Sequence, residues 1–213
     1  MKLKVCGMKH SDNIKEIGIL EPDFLGFIFY KKSTRYFEGT IPEIPDSIKK
    51  VGVFVNENLT FIQEKVVQYQ FDLIQLHGEE SVAFCKELKN TLQQTQEDIK
   101  IIKVFSIKNE FDFSVLRAYE AHIDYFLFDT KGELPGGNGY AFNWTVLENY
   151  PSQKPYLLSG GIGLENATAV EEFLHNKKAS KHCFAIDVNS KFEGENNVKK
   201  VEDLSSFKTI LKI

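Results

Sequence analysis

At 213 residues the chain can bury one large core, and it sits at the small end of what a single eight-fold β/α barrel requires. Its composition, 42% hydrophobic and 26% charged, is that of an ordinary globular protein, and no run approaches the twenty apolar residues of a membrane span. A net charge of −4 argues against a general nucleic-acid binder and leaves a local anion pocket open.

The opening Met1-Lys2-Leu3-Lys4-Val5-Cys6-Gly7 lacks the long apolar run of a secretory signal and reads as a strand starting almost at once. Seven further short apolar runs follow, giving strands at Leu3 to Cys6, Phe24 to Phe29, Lys50 to Val55, Asp72 to Leu76, Lys100 to Phe105, Tyr125 to Asp129, Tyr156 to Ser159 and Phe184 to Val188. Near-continuous hydrophobic runs are what parallel strands covered on both faces need. Between them lie helical patterns. Ser11 to Leu20 opens with Ser-Asp as a cap, and Leu59 to Tyr69 puts Phe61, Ile62, Val66 and Tyr69 on one stripe. Val82 to Leu92, Phe113 to Tyr119, Leu164 to His175 and Val198 to Leu211 complete the set, while Pro42 to Ile48 and Phe142 to Tyr150 look short. The polar stretches Asn90 to Asp98 and Lys191 to Lys200 read as surface loops. Eight β-then-α units without a linker predict one α/β domain over residues 1–213, a single (β/α)8 TIM barrel. An open doubly wound sheet would want a Gly-rich loop after its first strand, and Cys6-Gly7-Met8-Lys9 is not one.

The three cysteines, Cys6, Cys85 and Cys183, are odd in number, far apart and without CxxC spacing. Neither a disulfide framework nor a zinc site is expected, and a reducing, cytoplasmic compartment fits.

In such a barrel the chemistry lies at the C-terminal ends of the strands. Those ends carry Cys6, then Tyr30 to Arg35, Asn56, His77-Gly78, Asp129-Thr130, Ser159-Gly160-Gly161 and Asp187-Val188-Asn189-Ser190. The glycines after strand seven let backbone approach an anion, and the small polar turn after strand eight completes a phosphate cradle of the kind barrels build from backbone N–H groups and a helix N-terminus. Glycines alone would also satisfy tight turns. Cys6 and Asp129 are the candidate base and acid. A thiol beside a cation has a lowered pKa and becomes a usable thiolate, although a small buried hydrophobe is the commoner role for cysteine. Asp129 has the plainer alternative of capping Lys131-Gly132. Lys4 shares the parity of Cys6 and should point into the lumen, where a buried ammonium needs a counter-charge; Asp187 on the adjoining eighth strand is the expected partner. Arg35 offers a guanidinium suited to a bidentate grip on a carboxylate, or is simply solvated. His77, above Gln75 of the same parity, either lines the pocket or hydrogen-bonds the rim. His10, His122, His175 and His182 read as surface or loop residues, and Trp144 as packing.

These motifs resemble those of phosphoribosylanthranilate isomerases of tryptophan biosynthesis. The likeness rests on Lys4-Val5-Cys6-Gly7-Met8, Gly26 to Tyr30 with Lys32 to Tyr36, Val51 to Asn56, Gln75 to Glu80, Phe128-Asp129-Thr130, Gly136-Gly137-Asn138-Gly139, Leu158 to Gly161 and Asp187 to Ser190. It spans essentially the whole chain. The resemblance implies an Amadori rearrangement of N-(5′-phosphoribosyl)anthranilate by general acid–base catalysis, with no metal or organic cofactor. It makes Asp129 the acid that protonates the furanose ring oxygen, Cys6 the base that takes the C2 proton, and Arg35 the grip on the anthranilate carboxylate. Backbone groups of Gly161, Asp187, Asn189 and Ser190 would hold the phosphate. A small phosphosugar is the implied partner, with no nucleic acid, membrane or obligate protein partner predicted. The chain departs from the family where Lys191-Phe192 replaces a glycine and the loop Glu193 to Lys200 lacks Pro-Gly; Asn143 and Asn189 are milder departures. Two alternatives stay open: another phosphosugar barrel, such as indole-glycerol-phosphate synthase or a histidine-pathway isomerase, and a phosphate-binding barrel without catalysis. The synthase would want a further N-terminal segment and catalytic Lys and Glu residues, and the histidine isomerase would pair Asp with Asp, so Cys6 discriminates.

Overall fold

In the computed structural model of the chain, which describes residues 1–95, 98–108, 110–130 and 141–213, eight parallel strands close into a barrel in sequential order. The strands are β1 Lys2–Val5, β2 Phe24–Ile28, β3 Lys49–Phe54, β4 Leu73–Leu76, β5 Lys100–Ile107, β6 Tyr125–Thr130, β7 Tyr156–Leu158 and β8 Cys183–Val188. The wall closes where β8 pairs with β1, placing Lys4 opposite Asp187.

Side-chain alternation divides the core in two, as strand geometry requires. Residues such as Val51, Val53, Leu73, Ile102, Val104, Leu127, Leu157 and Ala185 fill the lumen together with Cys6. The opposite faces, including Leu3, Val5, Leu25, Phe27, Ile74, Phe126 and Ile186, pack outward beneath the helices. Three aspartates placed just before even-numbered strands staple the lower rim. The carboxylates of Asp23, Asp72 and Asp124 accept the backbone N–H groups of Leu3, Lys50 and Ile101 at 2.9, 2.8 and 2.8 Å. Each satisfies a donor that the end of a ladder would otherwise leave unpaired.

Among the described residues the outer layer is uneven. Its α-helices are α1 Ser11–Ile19, α2 Leu59–Tyr69, α3 Val82–Thr95, α4 Ala167–His175 and α5 Val201–Leu211. No helix follows β2, so the expected short helix over Pro42 to Ile48 is absent. The connections after β5 and β6 carry only 3-10 turns, at Phe113–Ala118 and Trp144–Asn149. Aromatic side chains cover the wall there. Phe27, Phe29, Phe37, Phe54, Tyr69 and Phe71 form one cluster, with ring centroids 4.9–6.1 Å apart. Phe105, Phe111, Phe113, Tyr119, Phe126, Phe128, Tyr150 and Tyr156 form another at 5.1–6.3 Å. Such rings bury area comparable to a helix face from few residues.

Several boundaries move. Asn90 to Asp98 is not a surface loop along its length, since α3 runs on to Thr95 and buries Leu92. Lys191 to Lys200 is not one either: Phe192 and Lys199 are sealed in the core, because this segment folds inward across the barrel mouth. Ser11 is the first residue of α1 rather than its cap; His10 occupies that position and makes no side-chain capping bond. Leu164 to His175 begins as a 3-10 turn, Leu164–Asn166, and the last helix starts at Val201 rather than Val198. The α2 expectation fits as written, with the Asn58 side chain accepting the Phe61 N–H at 2.9 Å.

Candidate active site

The strand ends and the loops that follow them bring every predicted site residue to one place. Cys6, Arg35, His77, Asp129, Gly161, Asp187, Asn189 and Ser190 all line a single cleft at the C-terminal end of the barrel. Gly136 to Gly139 and the Lys131-Gly132 pair lie outside the described residues.

The floor is a charge network. Lys4, fully buried, donates to Asp187 Oδ1 at 2.7 Å, as its parity predicts, and Ser159 Oγ donates to Asp187 Oδ2 at 2.9 Å. Burial disfavours the Lys4 ammonium, but Asp187, with help from Cys6, outweighs it and holds Lys4 above its ordinary range. Asp187 is therefore turned into the lumen as the counter-ion of Lys4.

Cys6 sits above Lys4, 4% exposed. The lowered thiol pKa expected from a neighbouring cation does not result. Burial dominates and pushes the thiol up, with the nearby Asp187 carboxylate adding to it and the ammonium groups of Lys4 and Lys199 opposing. In the empty site, burial thus favours the neutral thiol.

On the opposite wall, Asp129 Oδ1 accepts the Thr130 N–H at 2.8 Å, while Oδ2 faces His77 Nε2 at 3.3 Å. Gly160, at φ +92°, makes this packing possible, because a Cβ there would meet Asp129 Oδ1 at 2.8 Å and Thr130 Oγ1 closer still. Of the two alternatives for His77, the structure selects pocket lining. Its Nδ1 lies 3.0 Å from Gln75 Nε2, and a donating amide there leaves the proton of a neutral ring on Nε2, toward Asp129. Gln75 Oε1, buried in the lumen, has no hydrogen-bond partner among the described residues.

A second ion pair outside the lumen fixes the His77 turn. Lys103 Nζ donates to Glu80 Oε2 at 2.8 Å and to the Gly78 carbonyl at 2.7 Å. Glu80 Oε1 in turn accepts the Asn56 N–H at 2.9 Å. Lys103 falls on the outward face of β5, so reading strand ends alone misses it.

The anion cradle is partly as predicted. Gly160 and Gly161 both take positive φ, and the N–H groups of Gly161, Asn189 and Ser190 donate to no described residue. The Gly163 N–H, by contrast, is taken by Asn166 Oδ1 at 2.9 Å. Lys191 at the rim pairs with Glu165 at 2.7 Å.

Arg35 is neither solvated nor free. Its Nε donates to both Glu193 oxygens at 2.7 and 2.9 Å, and Nη2 donates to Oε2 at 2.6 Å. Glu193 also receives the Lys199 ammonium at 2.5 Å. Both residues were hidden in a stretch that reads as surface. The apolar Phe192 inside it, and the need of Arg35 for a counter-ion, were the available signals. Among the described residues, no three His, Cys, Asp or Glu side chains are grouped to hold a metal ion, and no helix is long and apolar enough to cross a membrane.

Residues 3–209 match the family described as N-(5′-phosphoribosyl)anthranilate (PRA) isomerase. A protein named N-(5′-phosphoribosyl)anthranilate isomerase from Parabacteroides distasonis is 43% identical over 213 residues, covering 97% of this chain and 91% of that protein. Among solved structures, the phosphoribosyl anthranilate isomerase from Thermus thermophilus superposes with a TM-score of 0.80 at 22% identity, covering 100% of this chain and 98% of that one, a likeness of fold. A phosphoribosyl anthranilate isomerase in complex with reduced 1-(o-carboxyphenylamino)-1-deoxyribulose 5-phosphate superposes with a TM-score of 0.74 at 27% identity, with the same coverage.

Proposed function

The chain belongs to the N-(5′-phosphoribosyl)anthranilate isomerase family, and from that premise we propose how its barrel mouth performs the family's reaction. The protein is an isomerase of tryptophan biosynthesis that converts N-(5′-phosphoribosyl)anthranilate to 1-(2-carboxyphenylamino)-1-deoxyribulose 5-phosphate. The observation that carries the assignment of roles is the shared cleft: the thiol that follows β1 and a carboxyl from β6 line one cavity with a guanidinium and a glycine turn.

The substrate has an anion at each end, and the cleft offers a partner for each. The N–H groups of Gly161, Asn189 and Ser190 receive the phosphate, and Arg35 receives the anthranilate carboxylate. Held between them, the ribose ring lies across the cleft from Asp129 to Cys6. Asp129 delivers its proton to the ring oxygen, since an unprotonated alkoxide leaves poorly. Thr130 occupies Oδ1, so Oδ2, which faces His77 Nε2 at 3.3 Å, is the oxygen through which the proton passes. Ring opening produces an iminium, which acidifies the C2–H bond. Cys6 gives up its thiol proton to solvent as the site charges and, as thiolate, takes the C2 proton. The enolamine then tautomerises to the ketone by moving its hydroxyl proton to C1, and the proton gained by Cys6 returns through solvent to Asp129. Burial opposes the thiolate in the empty site, whereas the iminium adds a cation to Lys4 and Lys199 at the step that needs it. This is differential stabilisation of charge that develops during the reaction.

The test is turnover of freshly prepared, labile N-(5′-phosphoribosyl)anthranilate, followed by the loss of anthranilate-type fluorescence. The expected result is first-order conversion to the ketose product. A protein that binds the reduced product analogue but never turns over the substrate would instead be a phosphate-binding barrel without catalysis.

A further inference from the structure

We propose that Glu193 and Lys199 form a positioning pair that orients Arg35 and leaves its cluster with one net positive charge for the substrate carboxylate; this rests on the role given to Arg35 above.

Three features support it. The first is orientation. Glu193 closes one edge of the guanidinium with bonds of 2.6–2.9 Å from Nε and Nη2, leaving Nη1, which donates to no described residue, as the edge for an incoming carboxylate. A planar five-donor fork held on one edge presents the other in a fixed direction. The second is charge. Arg35 and Glu193 alone would sum to zero and attract no anion. Lys199 restores one positive charge, and with its side chain at 0% exposure that charge is poorly screened.

The third is construction. Lys199 Nζ also donates to Asn189 Oδ1 at 2.7 Å and to the Asn189 carbonyl at 3.2 Å, so the carboxylate grip and the β8 turn are one body. The Lys199 backbone is fixed on both sides by buried Asn13 of α1, through bonds of 2.7 and 2.9 Å. Gly7 lies between the two ends at φ +76°; a Cβ there would meet Asn189 Oδ1 at 2.6 Å and Arg35 Cδ at 2.8 Å.

The charge states agree with this arrangement. Burial works against the Glu193 carboxylate, but Arg35 and Lys199 hold it below the usual range. Burial lowers Lys199 to about 8, Glu193 and Cys6 opposing the drop and Arg35 adding to it, so the ammonium persists near neutrality.

The experiment compares binding of two probes by calorimetry: reduced 1-(o-carboxyphenylamino)-1-deoxyribulose 5-phosphate and its counterpart lacking the ring carboxylate. Each is titrated into the wild type and into Arg35→Met, Glu193→Gln and Lys199→Met. Charge-assisted bonds of this kind carry roughly tenfold or more in affinity, so the wild type should prefer the carboxylated probe by at least that factor. Lys199→Met keeps the clamp but neutralises the cluster. In Glu193→Gln the buried lysine loses its counter-charge and sheds its proton, so the net charge stays at one and orientation alone is lost. Both variants should therefore lose most of the preference, with the decarboxylated probe bound nearly as in the wild type and KM rising more than kcat falls.

In the wild type the preference should also decline as pH rises through about 8, where Lys199 loses its proton, and in Lys199→Met that decline should vanish. Equal weakening of both probes, or an unchanged preference in the two variants while Arg35→Met abolishes it, overturns the pair's role. A preference that survives Arg35→Met overturns the reading of Arg35 itself, and the pair with it.

Discussion

Cys6 and Asp129 are single atoms' worth of chemistry in a 213-residue chain, and their truncation should separate catalysis from binding. General acid–base steps are each worth about 10²–10⁴-fold. Cys6→Ala or Asp129→Ala should therefore reduce kcat by at least roughly two orders of magnitude while the reduced product analogue still binds. Single-turnover kinetics with a parallel binding titration checks this, and near wild-type turnover in either variant removes that residue from its role. At this scale the sequence revealed positions better than states. Parity at strand ends is set by backbone geometry, so Lys4, Cys6, His77, Asp129 and Asp187 could be placed in one mouth before any coordinates. The protonation of Cys6 could not, because it depends on how deeply the sulfur is covered. Glu193 and Lys199 escaped for a related reason. Charged residues signal exposure, and only their mutual pairing and Arg35 allow them to be buried.

Among the elements, the strands were the most legible, since buried parallel strands are near-continuous apolar runs. Helices were legible from their apolar spacing, as the stripe over Leu59 to Tyr69 shows for α2, whereas the cap read at Ser11 falls one residue inside α1. The connections after β2, β5 and β6 misled for different reasons: Pro42 and Pro45 interrupt the first, while Phe111, Phe113, Tyr119 and Tyr150 cover the wall beside the other two with rings, which need no helical spacing. The cluster on β2 to β4 should likewise behave as structure rather than machinery. Phe71, 2% exposed, touches Phe27, Phe29 and Tyr69 at centroid separations of 5.6–6.1 Å. Phe71→Ala should cost about 3–5 kcal/mol in stability, read from urea denaturation, with kcat of the folded fraction unchanged. A large fall in kcat at full folding would place this cluster in the catalytic apparatus instead.

For the molecule as a whole, the β1–β8 ladder closes the wall, and one long-range side-chain bond reinforces it, Lys4 to Asp187, between residues 183 apart. Lys4→Met leaves a buried carboxylate unpaired and should destabilise by about 3–5 kcal/mol, whereas Lys4→Met with Asp187→Leu should recover most of that. Denaturant midpoints of the single and double variants decide it; a double variant no more stable than the single would mean that the pair acts through something other than charge. A closed wall also governs chemical vulnerability. Peroxides and alkylating reagents attack thiolates, and Cys6 lines the cleft that lodges the phosphosugar. Burial favours the neutral thiol of the resting site, which is sluggish toward them, and a lodged sugar stands in their path. The enzyme thus keeps an oxidisable base that its own substrate shields.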